Sequence, residues 1–500
     1  MRAIAGEGQR GAAIAAGVVA VCFVAIATSA VLGSVASKVV PVAVVVMALA
    51  FVNRSFLRWR SLLAALIVVI FFIPIGRYSL PASLPIQLEP YRLLAALIIV
   101  GWLTSLLIDP RVRLRATGYE APLGLFLFAC IASLVLNPER ITAAGSVLDK
   151  SLMFFASFLF VVYVVGSVAR RSADIDRLLK VAVACGAVVA ISAVVESRTH
   201  YNVFNHLSKV IPILRLGQIP FANGHDPTGM SRGGDVRAYA SAEHPIALGA
   251  VLAMLVPLAF YLARRYKQRL WWAATACLMV GVFATVSRTG FVMLIVAMLV
   301  LVALRPRQMK RFWPALLPAI VLIHFAVPGT LGSVVQAFFP KGGLIAQEKK
   351  NAVGSGRLAT LGPALRTEFD PNPVFGEGFD TRVTVPAPGV PANAPILDDQ
   401  WANILLETGV VGTFALGWFF VRAFRMAARR AREDDSDEGI RAAAFAASIA
   451  AFAFGMLTYD AFSFTQVTFA AFILMGLSAA AVRPGTVRAD VPAVAYVPVS

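Results

Sequence analysis

The sequence predicts an all-α, polytopic helical membrane protein of about fourteen spans (about 12–14), on three observations. Apolar runs of about 20 residues, the length that crosses a bilayer as a helix, recur along most of the chain. Only 14% of the 500 residues are charged while 59% are hydrophobic, where a soluble protein carries roughly 25% charged residues. Mean hydropathy is +0.76. These runs are too many and too long for one soluble core.

Taken in order, the apolar runs place spans at 12–32, 36–53, 61–76, 91–108, 120–136, 148–169, 178–195, 241–263, 270–286, 289–304, 312–328, 401–421, 441–458 and 465–482. The first follows Arg2 and Arg10 and ends near "ATSA", as a secretory signal would. Its apolar run exceeds a signal h-region, so it is read as a span. Charge sets the orientation. With the N-terminus inside, the inner segments hold Arg54, Arg58 and Arg60; Arg111, Arg113 and Arg115; Arg170, Arg171, Arg177 and Lys180; Arg264, Arg265, Lys267 and Arg269; and Arg305, Arg307, Lys310 and Arg311. The loop "VRAFRMAARRAREDDSDEGIR" follows. The positive-inside rule gives both termini inside, and the acidic run 433–438 reads as a solvated face of that inner loop.

The organisation expected is a block of N-terminal spans over 1–195, an outer loop at 196–240, and spans over 241–328 with a hairpin at Arg288. A large outer loop at 329–400, C-terminal spans over 401–482 and an inner tail at 483–500 complete it. Loops of this length in a bundle carry function or are disordered. The stretch "TLGSVVQAFFPKGGLIAQ" is apolar enough to lie at the membrane interface. No inverted pair of Gly/Pro-broken spans announces a transporter.

The net charge of +18 would suggest nucleic acid in a soluble protein. Here it is the excess of Lys and Arg in inner loops, and no nucleic-acid module appears. Cys22, Cys130, Cys185 and Cys277 lie inside apolar runs without paired or metal spacing, so they read as small core residues.

Four polar stretches sit on the outer side. "SRGGDVRAYASAEHPIALG" runs from Ser231 to Gly249, with Arg237 at its edge and Glu243 and His244 beyond. Arg237 is either an interfacial side chain reaching to headgroups or part of a site. "ATVSRTG" leaves almost no loop, so Arg288 sits at or just inside the interface, where an Arg faces a polar cavity or a partner. "GSGRLATLGPALRTEFDPNPVFGEGFDTR" holds Arg357 and Arg366 before a run of turns. Its Gly-x-Gly has no strand before it and is a weak phosphate signal. "APILDDQWANILLETGVVG" sets Asp398 and Asp399 directly before a span, with Glu407 two turns further in. The pair reads either as helix caps or as chemistry. Guanidinium groups with carboxylates suit anion binding plus proton abstraction, because Arg keeps its charge and forks onto pyrophosphate.

With these motifs in view, the chain resembles the O-antigen ligase and polymerase (WaaL/Wzy) superfamily of bacterial membrane glycosyltransferases. The marks are "RAYASAEHPIALG", "SRTG", an outer loop with "GSGR" and "NPVFGEGF", and Asp398-Asp399 followed by Gly409 and Gly412 at the spacing of a His-Asn…Gly-x-x-Gly pattern. "LPASLPIQLEPYRLLAAL" adds a family look upstream, and the resemblance is specific over 237–412. It implies a donor glycan linked to polyprenyl pyrophosphate, a glycan or lipid-linked acceptor, contact with membrane lipid and other polysaccharide-assembly proteins, and no nucleic acid. It implies the bacterial cytoplasmic membrane, an outward-facing site, and no cofactor or metal. Arg237, Arg288 and Asp398 would be catalytic, with Arg357, Arg366, His244, Asp399 and Glu407 binding substrate. Ligases of the superfamily carry His at the position of Asp398, as general base, whereas Asp there looks like the exopolysaccharide polymerase branch. Ligase and polymerase readings therefore both stand, and a transporter or flippase is the rival from another class.

Overall fold

A computed structural model describes residues 59–81, 88–108, 116–144, 154, 158–169, 171–217, 231–232, 235–312, 314, 316–329, 332, 357–382 and 397–482. The predicted spans 12–32 and 36–53, the interfacial stretch at 330–347 apart from Gly332, and Cys22 lie outside these residues.

The apolar runs from residue 61 onward fold as helices: α1 (Trp59–Phe72), α2 (Pro90–Ile108), α3 (Glu120–Leu136), a short α4 (Pro138–Ala144), α5 (Phe160–Val168) and α6 (Ser172–Thr199). They continue as α7 (Pro245–Tyr266), α8 (Arg269–Ala284), α9 (Arg288–Leu304), α10 (Leu316–Ala326) and α11 (Arg357–Ala364). The chain closes with α12 (Gln400–Glu433), α13 (Asp437–Gly455) and α14 (Thr465–Val482). Six described helices are long and apolar enough to cross a membrane, and five more apolar helices are shorter. The small strands Tyr78–Ser79 with Arg215–Leu216, and Ser231–Arg232 with Asp235–Val236, pair antiparallel.

The centre of the bundle is α7, buried along most of its length and packed by α6, α8, α9, α13 and α14. Small residues make this possible. The run "RAAAFAASIAA" of α13 has little side-chain volume, so neighbouring helices approach closely and bond by van der Waals contact. A second layer sets α12 against α3, α13 and α14, and α5 against α14.

Polar residues staple the bundle at both ends. At one end, Asp176 of α6 accepts from Tyr261 (2.8 Å), Tyr266 (2.9 Å) and Arg441 (3.0 Å), joining α6, α7 and α13. Arg305 pairs with Asp435 (2.8 Å) and donates to the carbonyls of Ala431 and Asp434, satisfying the C-terminal end of α12. At the other end, Arg77 is fully buried. It donates to Asn205 Oδ1 (2.9 Å) and to the carbonyls of Ala240 (2.8 Å) and Ala242, and lies over the Tyr239 ring. Glu196 accepts from the amides of Tyr239 (3.2 Å) and Ala240 (2.7 Å) and from Asn202 (3.0 Å). A buried charge is tolerated only when its donors or acceptors are filled. Here the filling groups fix the segment that leads into α7.

Candidate active site

The site is built at that second end. Pro245 opens α7, and four residues on, Gly249 faces Gly290 of α9. A Cβ on Gly290 would lie 3.0 Å from Gly249 Cα, and one on Gly249 would lie 2.9 Å from Thr285 Oγ1. Only glycines allow this approach. It brings "HPIALG" against "SRTG" and sets the two arginines on one helix junction. Arg237 is buried, and its Nε donates to the Thr285 carbonyl (3.4 Å). The next amide, of Ala238, donates to the Ala284 carbonyl (3.1 Å). Arg288 is the first residue of α9, half-buried, behind Ser287, whose side chain caps the helix.

The junction continues through Thr289. Its Oγ1 meets Thr458 Oγ1 at 2.9 Å. Thr458 belongs to the turn 456–464 between α13 and α14, and that turn holds the start of α12: the Gln400 amide donates to the carbonyls of Met456 (2.8 Å) and Tyr459 (3.2 Å). Arg237, Arg288 and the Asp398-Asp399 pair thus share one end of the bundle.

The pair divides its roles. Asp399 is the N-cap of α12, its side chain accepting from the amides of Trp401 (2.9 Å) and Ala402 (3.2 Å). Asp398, half-buried, precedes the cap and stands close enough to Asp460 to interact electrostatically with it. Burial pushes the Asp460 carboxyl up from its ordinary range and the charge of Asp398 adds to this, against hydrogen bonds from Ser463 and Asn403. Arg382, buried, donates to both oxygens of Glu368 (2.6 and 3.3 Å) and to Asn403 Oδ1 (2.5 Å). Asn403 in turn donates to the Leu397 carbonyl (3.2 Å), one residue before Asp398.

Below this hub α12 breaks. Gly409 has φ +64° and ψ −164°, a conformation essentially reserved for glycine. Backbone groups freed in an apolar setting must be met by protein. The stretch "NPVFGEG" meets them: Val410 and Val411 donate to the carbonyls of Pro373 (2.9 Å) and Val374 (3.3 Å), while Glu377 and Gly378 donate to those of Leu406 (2.9 Å) and Glu407 (3.1 Å). Asn137 Nδ2 bonds the Gly376 carbonyl (3.0 Å), and Arg140 pairs with Glu377 (2.6 Å). The Glu407 carboxylate accepts from the Asp380 amide.

Of the remaining sequence-predicted residues, His244 caps α7 through Nδ1, accepting from Ile246 (3.1 Å). Arg366 is exposed in the turn Leu365–Phe369, and Arg357 opens α11. Sequence reasoning passed over Asp460, Arg382, Glu368 and Asn403. Asn403 stands four residues from both Asp399 and Glu407, so a polar stripe was readable on α12. Asp460 is a lone carboxylate in a minimal turn between apolar runs, the same signal that singled out Arg288. Among the described residues, no three His, Cys, Asp or Glu side chains are placed to hold a metal ion.

Residues 273–417, which run from α8 into α12, match the family model described as O-antigen ligase. No curated protein matches the chain.

Proposed function

We propose that this chain is a polymerase-type member of the O-antigen ligase and polymerase superfamily of membrane glycosyltransferases, a reading that the family match over residues 273–417 supports. It moves a polyprenyl-pyrophosphate-linked glycan onto an acceptor sugar hydroxyl at the outer face of the bacterial cytoplasmic membrane. The observation that carries this reading is the division of labour at Asp398-Asp399. Asp399 takes the helix cap, and Asp398 stands directly before that cap, at the end of the bundle that holds Arg237 and Arg288.

The roles follow. Arg237 and Arg288 bind the pyrophosphate and stabilise its charge as it leaves, with Arg357 or Arg366 as a further clamp in the 329–400 loop. Asp398 takes the acceptor's hydroxyl proton, the oxygen attacks the anomeric carbon, and the carbon–oxygen bond to pyrophosphate breaks with inversion. Glycan product, polyprenyl pyrophosphate and one proton on the enzyme balance the step. No metal is needed, because guanidinium charge does the work a divalent ion does elsewhere. His244, Asp399 and Glu407 shape the site around the substrate.

The test uses purified full-length protein with a defined lipid-linked donor, run in excess chelator. Asp398→Asn inserts normally, still binds donor, and loses at least about 10²-fold in transfer. Asp399→Asn keeps a capping oxygen and stays active. Near-normal transfer by Asp398→Asn refutes the base assignment, and activity that needs added Mg²⁺ or Mn²⁺ refutes metal independence. The family description also supports a second reading, transfer of a finished glycan to a lipid, wall or protein acceptor. A ladder of lengthening products marks a polymerase, and one product per acceptor marks a ligase.

A further inference from the structure

The stretch "VRAFRMAARRAREDDSDEGIR" closes α12 and opens α13. It lies at the end of the bundle away from the candidate site, where Arg305 satisfies the last carbonyls of α12. The apolar run 401–421 is about 30 Å of helix, the thickness of the hydrocarbon core. Arg422 is therefore the first residue past the hydrocarbon. Arg422, Arg425, Arg429 and Arg432 are all exposed, whereas Ala423, Ala427, Ala428 and Ala431 are buried against the bundle. At about 100° per residue, the four arginines share one face, within an arc of about 80°. Phe414, Trp418 and Val421 carry the same stripe back into the hydrocarbon. Phe414 and Val421 are exposed, and the Phe414 and Trp418 rings lie 6.2 Å apart.

The acidic residues that follow are committed mostly elsewhere. Asp434 pairs with Arg430 (2.7 Å), Asp435 with Arg305 (2.8 Å) and Asp437 with Arg265 (2.6 Å), while Glu433 pairs back onto the stripe at Arg429 (2.7 Å). Arg422 donates through Nε to the Gly118 carbonyl. Among the described residues, no carboxylate pairs with Arg422, Arg425 or Arg432.

We propose that this face of α12 binds an anionic phospholipid of the leaflet around it, the inner leaflet under the positive-inside rule. The headgroup phosphate lies against Arg422 and Arg425, whose guanidinium groups fork onto its oxygens. The acyl chains run along Val421, Trp418 and Phe414, with Trp418 at the edge of the hydrocarbon, where aromatic rings favour the boundary. Arg429 and Arg432 lie about 6–10 Å beyond Arg425, within about a Debye length, and add attraction. Inner-loop arginines satisfy the positive-inside rule wherever they point. The spacing i, i+3, i+7, i+10 puts these on one face, continuous with an apolar stripe. A zwitterionic headgroup would bring a second cation among them, so a net negative lipid is preferred.

Native mass spectrometry of the full-length protein in detergent, titrated with phosphatidylglycerol or with phosphatidylcholine, decides this. Wild type should bind the first phosphatidylglycerol at least about 10-fold more tightly than phosphatidylcholine, and the preference should shrink as ionic strength rises. Arg425→Gln should weaken phosphatidylglycerol about 5-fold and leave phosphatidylcholine within about twofold. Arg425→Lys keeps the charge and should recover most of the loss. Arg307→Gln is the control: it removes one exposed charge from the same end of the bundle but off the stripe, and should change phosphatidylglycerol binding less than about twofold. Arg432→Gln serves in place of Arg425→Gln if that variant does not purify. Equal affinity for the two lipids, as expected if the stripe serves an acidic protein instead, overturns the proposal. So does unchanged phosphatidylglycerol binding in Arg425→Gln, or an equal loss in Arg307→Gln.

Discussion

Gly409→Ala tests whether the break in α12 is what positions the site. At φ +64° and ψ −164° an L-residue is strained, which costs about 1–3 kcal/mol. The new Cβ would lie 2.3 Å from the Val374 carbonyl oxygen and 2.4 Å from its carbon. Those are backbone atoms, so no rotamer change relieves the overlap, and the stretch 373–378 must move away. The four backbone bonds that join it to residues 406–411 are then at risk, each worth about 0.5–1.5 kcal/mol net. Strain plus half of these bonds gives a loss of about 2–6 kcal/mol. Gly417 lies in the same helix, yet its nearest neighbour would be a ring carbon of Trp401 at 4.0 Å. Gly417→Ala should be neutral or stabilising by up to about 1 kcal/mol. Thermal unfolding in detergent, followed by transfer well below the lower melting temperature, separates the two. Gly409→Ala with the melting temperature and transfer of Gly417→Ala would refute the role given to the break.

Two further outcomes follow from the buried polar groups. Arg382→Ala leaves the Glu368 carboxylate buried without its guanidinium, at a cost of about 3–5 kcal/mol, and Arg382→Lys recovers only part because an ammonium does not fork; melting temperatures of both variants check this. Glu243 lies just before α7, where burial pushes its carboxyl up to about 8 from 4.5, against hydrogen bonds from the amides of Gln466 and Thr465. A carboxyl raised on folding binds its proton more tightly in the folded state, so the stability it carries is full below its unfolded value and fades as pH rises towards 8. Glu243→Gln should flatten the fall in melting temperature between about pH 5 and about pH 8.

Helix positions were legible because apolar runs report bilayer length directly. The spans read from 61 onward fall on described helices, although α5 covers only part of the run at 148–169. The break at Gly409 was not legible. Gly409 and Gly412 stood out as a spacing, but the groups that satisfy the broken backbone come from 373–378, and no local pattern announces a partner that far along the chain. Arg237 and Arg288 were found because charge at the edge of an apolar run or in a minimal turn is conspicuous. Asp460 met the same criterion and was passed over, since a single carboxylate between apolar runs also reads as an ordinary turn residue. Arg382 and Glu368 were hidden differently. Each sits in a polar loop where charge is unremarkable, and only the fold turns the pair into a buried fork.

The contact between Gly249 and Gly290 gives a physical reason for the spacing of Pro245 to Gly249 in "HPIALG" and of Ser287 to Gly290 in "SRTG". Pro245 starts α7 and Ser287 caps α9, so each glycine lies one turn into its helix, where the two axes come nearest. Carbon atoms in good contact sit about 3.5–4.0 Å apart, whereas a Cβ on Gly290 would reach Gly249 Cα at 3.0 Å. Gly290→Ala must therefore spread the helices by about 0.5–1 Å at this end, an overpacking cost of about 1–3 kcal/mol. Arg288 is two residues from the contact and Arg237 is bonded to Thr285 beside it, so the spread changes the distance between the two guanidinium groups. A misplacement of about 1 Å at a reacting centre costs about 10²-fold. Transfer should fall about 10- to 100-fold, at a temperature where the variant is fully folded. Gly249→Ala should act alike, and the double variant should be little worse than either, because both open one gap. Gly124→Ala in α3, with nothing within 4 Å of the added carbon, is the control and should leave transfer unchanged. Gly290→Ala with wild-type transfer would show that the arginines do not depend on this junction, and would detach Arg288 from the pyrophosphate role proposed for it.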